Sequence, residues 1–216
     1  MHDQRAALLQ HNIGRWAGCF IRLNGDGYEQ ARFPTSLSVK ERDGLIQACL
    51  SYEHTGQQRS MTFQTLPPAM QVSSQGGWSL GPSSITPRSW VAELCVVHQK
   101  ARRRIVVRHG VSGLEQVVYV VETEGSRTPE APVQRLRCRT RSAAELVIWE
   151  PEDGVELLLD QRDRQTGDAT ACGLRWTLPG GIVRQMVRRY DTQGGLLPLS
   201  PAWPSRRDVA FLNKES

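Results

Sequence analysis

The chain has 216 residues, which is enough for one or two domains with a substantial hydrophobic core. Hydrophobic residues make up 39% and charged residues 23%, proportions that exclude an intrinsically disordered or collagen-like chain. The net charge is +5, and all but three of the 27 basic residues are arginine. The planar guanidinium suits recognition of carboxylate or phosphate, although a GC-rich genome gives the same bias.

The first predicted element is a short helix over residues 3–10, with Asp3 available as its N-cap. Short segments rich in Val, Ile, Thr and aromatic residues follow, separated by turn residues, which is typical of an all-β protein. Tight turns at 24–27 and 110–113 make their flanking strands antiparallel neighbours. Eight strands are predicted, at residues 14–23, 31–39, 45–53, 58–64, 77–87, 90–98, 103–109 and 114–124.

Eight sequential strands without crossover helices form an open meander, a sandwich or a closed up-and-down barrel. Closure alone leaves no exposed edge, and a barrel of about eight strands holds either its own packed side chains or one small ligand. We therefore expect residues 1–125 to form an antiparallel barrel behind the short helix. A ligand-binding role requires that this barrel be closed and its interior free.

A stretch containing Gly, Ser and two Pro at residues 125–132 predicts a boundary between two parts of the chain. The β-like segments beyond it form either a smaller β-rich unit over 133–212 or the completion of one larger barrel. These segments are residues 133–141, 145–149, 155–160, 171–178, 182–187 and 209–212.

Three segments carry a resemblance to a known family: LLQHNIGRWAG at residues 8–18, GGWSLGP at 76–82, and Glu93 with the basic run into RRIVV at 103–107. Together they resemble an uncharacterised cyanobacterial and plastid family of lipocalin-like (calycin) proteins, mainly over residues 8–124. That family is distantly similar to the phycobilin lyases, which carry open-chain tetrapyrroles. The resemblance implies a lipocalin-like barrel that binds a ligand. Any enzymatic activity that it implies is lyase-like chromophore attachment.

Three tryptophans belong to the predicted barrel. Trp16, in the G-x-W position, is expected to plug one end of the core. Trp78 and Trp90 lie on later strands, where they either pack in the barrel wall or stack on the ligand.

Two arginines and a glutamate are the candidate polar contacts of the ligand. Alternation along strand 103–109 places Arg104 and Arg108 on one face, opposite Ile105 and Val107. Either the apolar pair fills the interior and the arginines are solvated, or a wide barrel lets the arginines bind a ligand carboxylate such as a tetrapyrrole propionate. Glu93 then holds a ligand ring nitrogen or an arginine, or it forms an ordinary cross-strand ion pair.

Four arginines recur at every second position just after the predicted boundary: Arg135, Arg137, Arg139 and Arg141. A strand would place all four on one face, and such a row faces water, an acidic partner protein or an anion. Nucleic acid is not expected, because no aromatic residues interleave and no nucleic-acid-binding motif is present.

Other classes of protein lack sequence support. The five cysteines are isolated and odd in number, which argues against disulfides and zinc sites and for a reducing compartment. No metal site is expected, and the motifs of common hydrolases, kinases and dehydrogenases are absent. The sequence has no apolar run of the roughly 20 residues that a membrane helix needs, and no secretory signal. A cytoplasmic protein without a membrane span is expected.

The leading hypothesis is a binding protein or chaperone for a hydrophobic anionic ligand, a bilin or related tetrapyrrole, connected with photosynthetic pigment–protein assembly. The alternative is a non-catalytic assembly factor that docks an acidic, photosynthetic partner through the arginine row. No cofactor is required in either case.

Overall fold

The computed structural model describes residues 3–125, 134–200 and 202–204. Within these residues the protein has one α-helix, α1 (Gln4–Asn12), and two antiparallel sheets. Asp3 caps α1, because its carboxylate accepts a hydrogen bond from the backbone N–H of Ala6 at 3.0 Å. The all-β class and the short N-terminal helix are confirmed.

The first sheet contains nine strands, and the turn signals in the sequence lie where its hairpins form. Its strands are β1 (Gly14–Asn24), β2 (Glu29–Arg42), β3 (Leu45–Tyr52), β4 (Gln57–Phe63), β5 (Gln71–Val72), β6 (Trp78–Leu80), β7 (Trp90–His98), β8 (Ala101–Gly110) and β9 (Gly113–Glu124). The single strand predicted at 77–87 is shortened to β6, since Gly81 and Pro82 follow it directly.

The order of this sheet is β4-β3-β2-β1-β9-β8-β7-β6-β5. Each strand therefore pairs with its neighbour in sequence, and β1 pairs with β9, as in an up-and-down barrel. The pairing between β4 and β5 is missing, so the sheet is a strongly curled half-barrel and the expected closure is not formed between the described strands. The connection between these two strands contains Pro67 and Pro68, which lack the backbone donors that a paired strand needs.

The two faces of the curled sheet differ in character. On β2 and β3 the convex face carries polar side chains, among them Ser36, Ser38 and Ser51. The concave face carries Trp16 and Phe20 of β1 together with the residues paired with them on β2 and β9. Helix α1 covers one end of this concave face, where its apolar residues pack against those of β3 to β6.

The second sheet covers the convex side of the first at β7 and β8. Its strands are adjacent in chain order: β10 (Arg139–Ala143), β11 (Leu146–Glu150), β12 (Val155–Leu159), β13 (Thr170–Thr177) and β14 (Val183–Tyr190). Both sheets contribute to one buried cluster, with Leu94 and Ile105 from the first and Trp149, Leu157 and Leu174 from the second. Burial of this apolar surface holds the sheets together.

Parts of the predicted organisation fall outside the described residues. These are residues 126–132 of the predicted boundary and the strand predicted at 209–212. The strand predicted at 133–141 is shorter in the structure, where β10 begins at Arg139. No helix in the described part of the chain is long and apolar enough to cross a membrane.

Candidate functional site

A network of four charged side chains lies on the concave face, and we call it the buried charge network: Glu93, Arg102, Arg104 and Glu122. Glu122 contacts both arginines, at 3.0 Å from Arg102 and 3.1 Å from Arg104. Arg104 also donates to Glu93 at 2.7 Å. Only 1% of the Arg102 and Glu122 side chains is exposed, compared with 29% for Glu93. The network thus reaches from the interior to the surface.

Strand register produces the network. Arg102 of β8 lies directly opposite Glu122 of β9, and Arg104 follows two residues later on the same face. On β1, Gly18 faces Glu122 across the neighbouring pair of strands. A Cβ atom at Gly18 would lie 2.9 Å from Cγ of Glu122 and 3.0 Å from Oγ1 of Thr35. Because Gly18 has no side chain, the side chain of Glu122 can occupy this space.

Aromatic rings of β1 lie beneath the two arginines. The Arg102 guanidinium is 4.0 Å from the ring centroid of Trp16, and that of Arg104 is 5.4 Å from Phe20. Burial by itself would lower the pKa of Arg104, but Glu122 and Glu93 outweigh burial and raise this pKa above its usual value. Arg104 is therefore held as a cation against the Phe20 ring.

Beyond Phe20 an aromatic group extends across the concave face. Phe33 and Tyr52 each lie about 6 Å from Phe20, at 5.9 and 6.0 Å between ring centroids, and His54 lies 4.8 Å from Phe33. Phe33 and Tyr52 are half-buried, so parts of their rings face solvent. Arg22 lies over Phe33 with 5.8 Å between its guanidinium carbon and the ring centroid.

The part of the concave face far from α1 is open to solvent. Arg22, Arg108 and Val91 are exposed there, and Val106 and Val118 are half-buried. Within the described residues neither Arg22 nor Arg108 forms an ion pair, in contrast to the two arginines of the buried charge network. An exposed apolar surface with unpaired guanidinium groups beside it is able to contact a ligand that has an apolar body and anionic groups.

Residues 1–127 match a protein family described as "Domain of unknown function (DUF3598), N-terminal". The chain belongs to the DUF3598 family. The matched range contains α1 and the entire nine-stranded sheet, and therefore the whole concave face.

A crystal structure of a DUF3598 protein of unknown function from the cyanobacterium Nostoc punctiforme is similar to this chain, with a TM-score of 0.74 at 16% identity. The similarity covers 92% of this chain and 97% of that one, so the two proteins share a fold. The cyanobacterial source of this relative agrees with the cyanobacterial part of the resemblance found in the sequence, and does not bear on its lipocalin or phycobilin lyase part. No curated protein matches the sequence.

The predicted ligand-binding residues of this DUF3598 chain divide into two groups. Glu93, Arg104 and Arg108 lie on the concave face, with Arg104 buried and Arg108 exposed. Trp78 shares this face but packs beside α1, where its Nε1 donates to Asn12 at 3.2 Å. Trp90 lies between the two sheets, stacked on the His109 ring at 5.5 Å. Trp90 therefore does not line the concave face.

Both alternatives for Arg104 assumed that one face of its strand points to the barrel interior and the other face to the outside. In the structure, Ile105 and Val107 are buried against the second sheet on the convex side, while Arg104 is buried on the concave side. Both faces of β8 are covered at this point, which neither alternative included.

The four arginines near the predicted boundary do not share one strand. Arg139 and Arg141 lie on β10, while Arg137 makes an isolated bridge to Tyr28 and Arg135 lies outside any strand. Arg139 pairs with Glu150 at 3.1 Å and with Asp153 at 2.8 Å. Arg141 pairs with Glu150 and Glu156. Docking of an acidic partner on this row stays a prediction; Arg135, Arg137 and Arg139 are exposed, and Arg141 is half-buried.

Sequence reasoning missed Glu122, Phe20, Phe33 and Tyr52. An ion pair at Glu122 could have been predicted from the sequence. The hairpin turn at 110–113 places β8 and β9 side by side, so an acid on β9 lies close to the basic residues of β8. The aromatic group gave none, since Phe20 and Tyr52 lie on strands that are not neighbours in the sheet and meet only because the sheet is curled. Among the described residues no cluster of His, Cys, Asp and Glu is arranged to hold a metal ion.

Proposed function

We propose that this protein is a lipocalin-like carrier or chaperone that binds a small hydrophobic ligand with anionic groups on its concave face. The observation that supports this proposal is a pair of exposed arginines, Arg22 and Arg108, which form no ion pair within the described residues. Arg22 lies over the half-buried ring of Phe33. The closed interior that we expected a ligand-binding role to require is not formed between the described strands. The proposed binding site is therefore the open concave face and not an enclosed cavity.

Spacing favours a ligand with more than one anionic group. Arg22 is opposite Val118, which is opposite Val106, and Arg108 lies two residues beyond Val106. Two strand spacings across the sheet and two residues along it separate the Cα atoms of Arg22 and Arg108 by about 12 Å. A ligand that spans the two valines therefore reaches both guanidinium groups.

The favoured ligand is an open-chain tetrapyrrole, a bilin, in the setting of photosynthetic pigment–protein assembly. Such a molecule has flat conjugated rings for the aromatic side chains and carboxylates for the arginines. This choice depends on the resemblance in the sequence, and the geometry supports only the general class of hydrophobic anion. Arg102 and Arg104 are neutralised by Glu122 and Glu93, so their role is to hold the wall of the site.

Titration with biliverdin, followed by visible absorbance, tests the proposal. Binding should shift and sharpen the absorbance band. Arg22→Ala should weaken binding about tenfold, the lower end of the effect of losing one charge-assisted hydrogen bond. Arg15→Ala is the matched control, because Arg15 is equally an exposed arginine of β1 but lies on the opposite face. An unchanged spectrum across several tetrapyrroles, or equal weakening by both variants, would overturn the proposal.

A further inference from the structure

The edge strand β4 (Gln57–Phe63) is exposed over almost its whole length. Six of its seven residues are exposed, and only Phe63 is half-buried. On one side β4 pairs with β3, and on the other side no strand of the described chain pairs with it. Its unpaired backbone N–H and C=O groups form a ready template for another strand.

The other sheet edges in the described chain are protected. β5 has only two residues and lies beside α1. β14 is covered by the following segment, through a bridge from Tyr190 to Leu196 and a hydrogen bond from Leu197 N–H to the carbonyl of Arg189. β10 carries two arginines that are already paired with acids. By contrast, β4 has no proline, no bulge in its register and a single charge, Arg59.

We propose that β4 pairs antiparallel with β4 of a second copy of this chain, about a two-fold axis at Ser60. Such an isologous pair places Gln58 opposite Thr62 on the convex face and Arg59 opposite Met61 on the concave face. The single charge of the strand then lies directly opposite an apolar side chain of the second copy, and its own symmetry mate is in the more distant diagonal position, about 7–8 Å away. Met61, 47% exposed in the single chain, becomes covered.

This pairing joins the concave faces of the two copies. A two-fold axis perpendicular to the sheet keeps both concave faces on the same side, so the nine-stranded sheets form one continuous surface. Arg59 lies over Tyr52 at 5.8 Å, and Tyr52 belongs to the aromatic group. Met61 of the second copy therefore borders the ligand-binding face near Tyr52, and each copy contributes to the edge of the other's site.

The contact involves one strand of seven residues on each side. An interface of this extent is smaller than the roughly 1,200–2,000 Å² of standard stable complexes. The fraction of dimer should therefore rise with protein concentration, and the protein should be monomeric when it is dilute.

Sedimentation of the full chain over a wide range of concentrations tests the inference. The wild type should change from monomer to dimer. Ser60→Lys and Ser60→Glu should each be monomeric, because each places two like charges at the two-fold axis, and an equimolar mixture of the two variants should recover the dimer. Ser112→Lys, in the exposed turn between β8 and β9, is the control and should dimerise as the wild type does.

Circular dichroism of each variant confirms that it is folded before sedimentation. A wild type that stays monomeric up to millimolar concentration would overturn the inference. So would variants that still form dimers separately, or a mixture that stays monomeric. None of these outcomes depends on ligand binding, so the inference can fail while the proposed function stands.

Discussion

Replacing Glu122 by Gln should destabilise the protein severely, because Glu122 is the one carboxylate that the described structure places against Arg102. Arg104 keeps Glu93 in this variant. Arg102 keeps neutral contacts alone: the amide oxygen of the new glutamine, a hydrogen bond of 3.4 Å to Asn12 and the face of Trp16. The substitution preserves the shape of the side chain and removes its charge, so it leaves one buried cation without a counter-charge.

The expected loss follows from that uncompensated charge. Removing one partner of a buried ion pair costs about 3–5 kcal/mol in free energy of unfolding. For a chain of this length each kcal/mol lowers the melting temperature by roughly 2–4 °C. Thermal unfolding of Glu122→Gln should therefore show a decrease of about 6–20 °C.

Glu124→Gln is the matched control, since Glu124 lies two residues further along β9 on the same face but is exposed. Its effect should stay within about 0.5 kcal/mol. Combining Glu122→Gln with Arg102→Met should recover part of the lost stability, because the double variant no longer buries a lone cation. A loss of less than about 1 kcal/mol in Glu122→Gln would show that Glu122 does not stabilise a buried cation. A double variant less stable than the sum of the single changes predicts would show the same.

Three further predictions concern a turn, an ion pair and the thiols. Gly76→Ala should lower the free energy of unfolding in urea by more than Gly44→Ala does. The two glycines share the same left-handed backbone, with φ of 76° and 77°, so the backbone strain of the substitution is alike. A new Cβ at Gly76 would lie 2.3 Å from a side-chain carbon of α1, whereas one at Gly44 would have nothing within 4 Å. Equal losses would contradict the packing argument. The hydrogen bond from Arg32 lowers the pKa of Glu29, against the opposing effect of burial. The ionised Glu29 side chain therefore stabilises the folded protein above its unfolded-state pKa, and this stabilisation is lost as pH falls through its folded-state pKa. Glu29→Gln should therefore be less stable than wild type at neutral pH and lose less stability on acidification, and parallel pH profiles of melting temperature would argue against this. Finally, Cys49 should react first with a thiol reagent in the native protein, because burial raises the pKa of the other four cysteines. A fast phase of thiol modification that is still present in Cys49→Ser would contradict this prediction.

Local features of the sequence predicted much of the first sheet. The cap at Asp3 begins a helix, and the turn residues at 24–27 and 110–113 join antiparallel strands, because these features act over a few residues. Alternation along β8 correctly placed Arg104 and Arg108 on one face. These predictions needed no knowledge of what lies across the sheet.

The sequence by itself determined which side chains share a face of each strand, since the period of two is a property of the backbone. Only the tertiary structure decided what each face meets. The second sheet covers the convex side of β8, helix α1 covers one end of the concave side, and the unpaired edge at β4 leaves the barrel open. Those contacts join residues far apart in sequence, so the burial of Trp90 between the sheets and of Arg102 beside Glu122 followed from the packing of whole elements.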